Sequence, residues 1–238
     1  MRHTFLYPLH ITVPVIGSAI FLLYYRVAGW NETAQISGYA EVIGIALPFV
    51  VSIVCAGNVG LEEKNHFHTF LGGPVYRWNS FLAKYLALLG TGILAVLTAL
   101  LFFAAGYHWI LGKEGISIGT YGKLAAILWL GSVPLYLEHL FFNLMFTRTV
   151  SLCVGVIQFL LSALFLTGLG DGRWPFFPCT WSARGASIFL AYVTGNGAGA
   201  AFLTEIKSAL AVCLLLILMI YAIIRIWFQF YEGRQCND

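Results

Sequence analysis

Long apolar runs dominate this chain and limit the folds that are open to it. Each run approaches the roughly 20 residues that an α-helix needs to cross a hydrocarbon core about 30 Å thick. The composition agrees, because 60% of the residues are hydrophobic and only 10% are charged. The sequence predicts an all-α, polytopic membrane protein of about six spans in a single transmembrane domain, 1–238. The spans are expected near 9–27, 41–56, 81–107, 124–146, 150–169 and 210–228.

Charge and cysteine content argue against several classes of protein. The net charge is only +3, and no Lys/Arg cluster resembles a nucleic-acid-binding patch, so no nucleic-acid partner is expected. The five cysteines are scattered, with no CxxC or Cys/His spacing, which predicts neither a zinc site nor a disulfide framework. The phosphate-binding pattern GxxxxGK[ST] does not occur, so another subunit must bind any ATP that the protein uses.

The basic residues orient the chain only slightly. They divide almost evenly between the two sides of a six-span topology, and the long loop before the last span weighs less in the positive-inside rule. This balance favours a cytoplasmic N-terminus, and with six spans both termini are then cytoplasmic. Cys179 is expected to be accessible from outside and Cys236 to be protected.

The segment before the last span has an irregular pattern. Glycine and proline between 170 and 178 interrupt any helix. The apolar run from 186 to 193 is too short to cross a bilayer. It predicts either an interfacial helix or a re-entrant helix.

The stretch from Gly60 to Pro74 has an amphipathic pattern. Phe67, Phe70 and Leu71 are spaced i, i+3, i+4, which places them on one face of a helix. Glu62 and Glu63 would occupy its first turn, where negative charge suits the helix dipole, and Gly72-Gly73-Pro74 would end it. The pattern predicts a short helix across the inner membrane face, either an ordinary interfacial helix or a docking element for a cytoplasmic partner.

The same stretch carries a resemblance to a known family. Glu62-Glu63, Phe70-Leu71, Pro74, Arg77 and Lys84 resemble the segment between spans two and three of type-2 ABC-transporter permeases, which forms their coupling helix. The chain as a whole is most similar to the MutG-like (LanG) subunits of lantibiotic-immunity permeases. The matching stretches are PLHITVPVIGSAIFLLYY at 8–25, GYAEVIGIALPFVVSIVC at 38–55 and EGRQCND at 232–238. His66-Phe67 stands where many type-2 permeases have Gly-Thr.

The resemblance implies a function and a set of partners. It implies a type-2 ABC exporter permease fold in the bacterial cell membrane, with a short cytoplasmic coupling helix and a re-entrant segment before the last helix. The complex would expel a lantibiotic peptide from the lipid bilayer and so give producer self-immunity or resistance. Its other subunits would be a LanF-like dimer, which binds ATP and Mg, and a second, LanE-like permease; this chain would be a transport subunit without catalytic residues, cofactor or metal. The residues implied in coupling to the ATPase are Glu62, Glu63, His66, Phe67, Phe70, Leu71, Pro74 and Arg77.

Two other functions remain open. A type-2 ABC permease can move another cargo, such as a lipid, a drug or an ion. Glu62-Glu63 with His139-x-x-x-Asn143 also resembles the motifs of CAAX-type intramembrane proteases, but Phe67 stands where the first motif has arginine. His66-x-His68 suits a metal poorly, because residues i and i+2 point to different sides of a helix.

Glu138, His139 and Asn143 are polar residues inside the fourth predicted span. A charged side chain at mid-bilayer costs about 2.5–3.5 kcal/mol on insertion scales, so it is expected to face a partner or a wet cavity. His139 and Asn143 share one helix face at i, i+4. An interhelical hydrogen bond is the favoured interpretation, and contact with substrate is the alternative.

Overall fold

The fold was obtained as a computed structural model, which describes residues 6–64, 67, 70, 77–195 and 199–231. All regular elements in these ranges are helical. They are α1 (Leu6–Val27), α2 (Glu32–Glu63), α3 (Arg77–Trp109), α4 (Ile118–Met145), α5 (Arg148–Leu164), α6 (Trp181–Val193) and α7 (Gly199–Gln229). Five of them, α1, α2, α3, α4 and α7, are long and apolar enough to cross a membrane, and α5 is a shorter apolar helix. The predicted all-α class is confirmed, and these helices have the length and composition of a multi-pass membrane protein.

Side-chain caps fix where three of the helices begin. The Asn31 side chain accepts a hydrogen bond from the Ala34 amide at 2.7 Å at the start of α2. Ser117 caps α4 and Thr147 caps α5 in the same way. Each cap satisfies an amide that the first helical turn leaves without a partner. The caps at Asn31 and Thr147 follow very short connections, so α1–α2 and α4–α5 are antiparallel pairs.

Helix α2 is the central element and is longer than predicted. Its 32 residues correspond to about 48 Å. The predicted span ends near 56, but the helix continues through Asn58 and Gly60. The Asn58 side chain is held by Lys84, so it does not compete for the helix backbone, and Gly60 makes room for Arg148. Tertiary contacts therefore keep this turn helical in spite of the low helix propensity of asparagine and glycine.

Helices α5 and α6 lie end to end along α2. Going along the chain, Arg148 contacts Gly60, Gly155 contacts Ser52 and Ala183 contacts Gly44. The steady fall in the α2 positions (60, 52, 44) shows that α5 and α6 run in the same direction.

The connection between α5 and α6 consists of three short 3-10 turns between residues 168 and 180. Two guanidinium nitrogens of Arg184 contact this connection. One donates to the carbonyl oxygens of Phe165 and Leu166 at 3.4 and 3.2 Å, and the other pairs with Asp171. A cation at the end of α5 stabilises carbonyls that have no partner within the helix.

Two boundaries differ from the predictions. The fifth predicted span, 150–169, corresponds to α5, which begins at Arg148 and ends at Leu164. Its 17 residues are the lower limit for a crossing helix. Helix α6 begins at Trp181 rather than near 186 and packs along α2 and α4. This packing places α6 against two of the long helices.

The bundle has two polar ends, named here after α2 residues. At the Gln35 end, the Gln35 Oε1 atom accepts hydrogen bonds from Tyr107 at 2.8 Å and Lys113 at 2.9 Å. At the Glu62 end, α2 and α3 are joined by an ion pair between Glu62 and Lys84. One apolar core lies toward each end. Helices α1 and α7 are peripheral and keep most of their surface exposed.

The structure changes the residues that can report topology. Cys179 is only 3% exposed, so the prediction that it is accessible from outside is wrong. Cys236 lies outside the described residues. Glu114 and Met145 are exposed at opposite ends of α4 and replace them as labelling positions.

With a cytoplasmic N-terminus, the α3–α4 connection is extracellular and the α4–α5 connection is cytoplasmic. We expect Glu114→Cys, in a background without the five native cysteines, to react with an impermeant maleimide in intact cells. Met145→Cys should react only after permeabilisation. Labelling of Met145→Cys alone in intact cells would show the reverse orientation.

Candidate functional site

Lys84 is the centre of a polar site at the Glu62 end. Its Nζ atom lies 2.9 Å from Glu62 Oε1 and 2.8 Å from Asn58 Oδ1. The same ammonium lies 5.4 Å from the centre of the Phe70 ring. The Lys84 and Glu62 side chains are 11% and 23% exposed, so water screens this ion pair only in part. Lys84 therefore holds α3 to the last turns of α2 and to the segment that connects them.

A second ion pair joins α5 to the same end of α2. Arg148 Nη2 lies 2.8 Å from Glu63 Oε2. The guanidinium lies over Gly60, where a Cβ atom would stand 2.7 Å from Arg148 Nη1. A larger residue at this position would displace the end of the Arg148 side chain. We call these residues together the charged cluster: Asn58, Glu62, Glu63, Lys84 and Arg148.

The charged cluster corrects the predicted place of the acidic pair. Glu62 and Glu63 lie in the last turn of α2 and not in the first turn of a separate helix. The chain then turns at Phe67, whose amide donates to the Glu62 carbonyl at 2.9 Å and whose φ is +55°. A residue in the left-handed region cannot continue a right-handed helix. The predicted continuous helical face that begins at Phe67 is therefore wrong.

The two phenylalanines of the predicted docking stripe are buried in the protein's own core. Phe67 and Phe70 are 3% and 4% exposed. The Phe70 ring lies 5.9 Å from that of Phe228 in α7, and both residues belong to the core that contains Trp78. The prediction that they fill a groove on a partner is wrong for this conformation, because their own chain already covers them.

The remaining predicted coupling residues divide into two groups. His66, Leu71 and Pro74 lie outside the described residues. Arg77 is exposed at the start of α3, and its Nη1 atom donates to the Tyr231 carbonyl at 3.4 Å. This contact places Arg77 beside the end of α7.

The three intramembrane polar residues meet two polar side chains of α5. His139 Nδ1 lies 3.0 Å from Ser151 Oγ, and His139 Nε2 lies 2.9 Å from Gln158 Oε1. Gln158 Nε2 donates to Glu138 Oε2 at 2.9 Å. Asn143 Nδ2 donates to Ser151 Oγ at 2.8 Å. We call these five residues the polar chain; it joins α4 to α5 inside the bundle.

The polar chain has one consistent direction of hydrogen bonding. Since Gln158 presents its oxygen, His139 donates from Nε2 and accepts from the Ser151 hydroxyl at Nδ1. Each residue therefore donates to the next, in the order Asn143, Ser151, His139, Gln158 and Glu138. In this order of donors, the His139 imidazole is neutral and carries its proton on Nε2. Every link is an interhelical contact between α4 and α5, of the kind that stabilises membrane bundles.

Sequence reasoning found the α4 half of the polar chain and missed the α5 half. Ser151 and Gln158 lie seven residues apart, two helical turns, and so share one face of α5. Two polar residues at that spacing in an otherwise apolar run are a signal that could have identified them.

The arrangement gives no support to an intramembrane protease. The acidic pair contacts Lys84 and Arg148, whereas His139 contacts Ser151 and Gln158. The Ser151–His139 pair has the spacing of a nucleophile and its base, but Ser151 is fully buried. Across the part of the chain that the structure describes, no three His, Cys, Asp or Glu residues come close enough together to hold a metal ion.

The chain was compared with known families, proteins and structures. No family model, curated protein or solved structure matches this chain.

Glu138→Gln tests whether the polar chain is structural. The amide keeps the size of the carboxylate and an oxygen that accepts from Gln158, while it removes a charge that is costly in lipid. We expect unchanged complex yield and a shift of no more than about 0.5 kcal/mol in unfolding free energy, the effect typical of a substitution that breaks no contact. Unfolding in detergent measures the shift. Loss of transport at normal yield would instead show that Glu138 contacts the cargo.

Proposed function

We propose that this chain is the membrane-spanning permease subunit of an ABC exporter that expels a lantibiotic from the bacterial membrane. The resemblance between 62 and 84, the similarity of the first two spans to LanG-type subunits and the all-α bundle support the proposal. A separate LanF-like dimer supplies ATP binding and hydrolysis, and a LanE-like permease completes the membrane part. This chain contributes helices that move.

The charged cluster is the observation that carries the proposal. It fastens α3 and α5 to the last turns of α2, where the segment that the resemblance assigns to coupling begins. Phe70 joins that segment to α7 through Phe228. A force on the segment therefore reaches four helices at once. An interfacial helix without a coupling role requires no such set of contacts.

The polar chain extends this mechanical path into the bundle. Arg148 lies in the first turn of α5 and Ser151 one turn further on. A tilt of α2 that pulls on Arg148 therefore also acts on the hydrogen bonds from Ser151 and Gln158 to α4. Closure of the ATPase dimer would thus change the packing of α4 against α5. A cationic amphipathic peptide could be expelled by this movement without entering a wide aqueous pore.

A pair of exposed lysines at opposite ends of the bundle tests where the ATPase docks. Lys64 follows α2 at the Glu62 end, and Lys123 lies near the start of α4, at the other end. We expect Lys64→Glu to weaken retention of the ATP-binding subunit about tenfold, because a reversed charge costs more than 1 kcal/mol at a complementary interface. The measurement is a pull-down from detergent, normalised to the permease level.

Lys123→Glu is the matched control and should retain the ATPase at the wild-type level. Equal loss in both variants would indicate a general effect of charge. Loss in Lys123→Glu alone would place the ATPase at the Gln35 end and contradict the proposal.

A further inference from the structure

The Glu62 end of the bundle carries more positive than negative charge. The two carboxylates of the charged cluster pair with its two cations, so the cluster is neutral as a whole. Three further cations lie at this end: Lys64 directly after α2, Arg77 at the start of α3 and Arg225 near the end of α7. Within the described part of the chain, no ion pair joins any of the three to a carboxylate. This end therefore attracts anions.

Arg77 and Arg225 both belong to the corner where α3 begins and α7 ends. The guanidinium carbon of Arg225 lies 4.6 Å from the centre of the Trp78 ring. Arg77 precedes Trp78 in the chain, and its Nη1 atom donates to the carbonyl oxygen of Tyr231, just past α7, at 3.4 Å. Trp78 is 8% exposed, and its ring lies 5.9 Å from that of Phe228, so the buried indole fixes the position of Arg225. We call Arg77, Trp78 and Arg225 the basic corner.

The Arg225 guanidinium has hydrogen-bond donors available for a ligand. Its contact with Trp78 is a cation–π contact, which supplies no acceptor oxygen or nitrogen. None of its N–H groups donates to a residue that the structure describes. Two arginines at one corner also repel each other unless an anion lies near both. An anionic acceptor would therefore satisfy both the donors and the charge of the basic corner.

The surroundings of the basic corner identify the class of anion. The Trp78 ring lies 5.5 Å from that of Tyr221, which is 39% exposed. Leu218 and Ile226 of the same helix are 67% and 60% exposed, and in a multi-pass protein such an apolar surface faces lipid. Exposed tyrosine and arginine beside a lipid-facing surface are typical of the headgroup level of a membrane. The anionic acceptor at that level is the phosphate group of a phospholipid.

We infer that the basic corner binds the phosphate group of an anionic phospholipid in the leaflet at the Glu62 end. The planar guanidinium can donate two parallel hydrogen bonds to two phosphate oxygens. The positive charges of two arginines favour an anionic lipid over a zwitterionic one. The bound headgroup then links the start of α3 to the end of α7. This inference needs only the membrane location and is independent of the ABC assignment.

Native mass spectrometry of the full chain, released from nanodiscs, tests the inference directly. The nanodiscs contain equal amounts of phosphatidylglycerol and phosphatidylcholine with the same acyl chains, so the two lipids differ only in their headgroups. We expect the wild-type chain to retain phosphatidylglycerol about tenfold more often than phosphatidylcholine, because each arginine near an anionic group favours it about fivefold. Inorganic phosphate in large excess should not change this ratio, because free phosphate has no acyl chains that hold it in the bilayer.

Glutamine substitutions provide a matched set. Arg225→Gln removes the guanidinium at the Trp78 ring and should lower the ratio of the retained lipids about fivefold. Arg77→Gln, at an exposed position, should lower the ratio to a similar extent, and it carries the test if Arg225→Gln does not yield folded protein. Arg26→Gln, exposed in the last turn of α1 at the Gln35 end, is the control and should leave the ratio unchanged.

Four results would overturn the inference. The first is equal retention of the two lipids by the wild-type chain. The second is an equal fall in the ratio for Arg26→Gln and for the corner variants, which would show a general effect of charge. The third is displacement of phosphatidylglycerol by inorganic phosphate, which would identify a site for free phosphate. The fourth is an unchanged ratio in a folded corner variant; if that variant also loses the ATP-binding subunit, the corner binds protein instead.

Discussion

Replacing Lys84 with methionine is expected to cost about 2–3 kcal/mol of unfolding free energy. Under the proposed function, it is also expected to uncouple this chain from the ATP-binding subunit. The substitution keeps the unbranched stem of the side chain but leaves Glu62 and Asn58 without their shared cation. Breaking one side of a buried ion pair typically costs about 3–5 kcal/mol, and the partial exposure of Glu62 reduces this cost. Chemical unfolding in detergent, followed by helical circular dichroism, measures the loss.

The double variant Lys84→Met/Glu62→Gln separates charge from packing. It removes both charges, so no carboxylate is left unpaired, and we expect it to recover at least half of the lost stability. A double-mutant cycle with Glu62→Gln gives the coupling energy between the two side chains. If Lys84→Met and the double variant are equally destabilised, the ammonium acts through Asn58 or Phe70 rather than through Glu62.

Alanine at Gly44 or Gly131 is expected to disturb the packing of α6 against α2 and α4 and so to lower the free energy of unfolding. A Cβ atom on Gly44 would overlap the backbone of Ala183, and one on Gly131 would lie 2.6 Å from the Ser182 amide nitrogen. Neither neighbour can move alone, because both belong to the helix backbone. We expect each substitution to cost about 1–3 kcal/mol, the range for overpacking in a close-packed interior. The same unfolding assay measures it.

Gly122 provides the control on the same helix as Gly131. A Cβ atom there meets open space, so Gly122→Ala should be neutral or stabilising by up to about 1 kcal/mol through helix propensity alone. Of the two alanine substitutions in α4, only Gly131→Ala should thus lower stability. Equal effects would contradict the described packing of α6 between α2 and α4.

The sequence was informative where hydropathy alone decides the structure. The runs near 9–27, 81–107, 124–146 and 210–228 all fall on long helices, because about 20 consecutive apolar residues have few alternatives, and only the third run extends past its helix, by one residue. The local sequence pattern did not predict the structure where tertiary contacts determine it. Nothing near Asn58 and Gly60 indicates that Lys84 and Arg148, distant in sequence, keep this turn helical.

The candidate sites show the same division. Glu138, His139 and Asn143 were recognisable, because polar residues in a span require partners. Their partners Ser151 and Gln158 depend on how α5 packs against α4, which one sequence does not fix. For Phe67 and Phe70, the pattern identified apolar side chains that need a covered surface, but it placed them wrongly on one helical face. It could not show that Phe228, at the far end of the chain, contributes to the core that covers them.

The most direct test of the proposed function is ATP-driven removal of a lantibiotic from membranes that contain this chain. Cells that express it with its ATP-binding subunit and second permease are exposed to a panel of labelled lantibiotics, and membrane-bound peptide is separated from released peptide. We predict that at least one peptide is released, and that release requires both this chain and an ATPase with an intact phosphate-binding lysine. Failure to release any peptide from cells in which the complex assembles, or equal release with an inactive ATPase, would contradict the account.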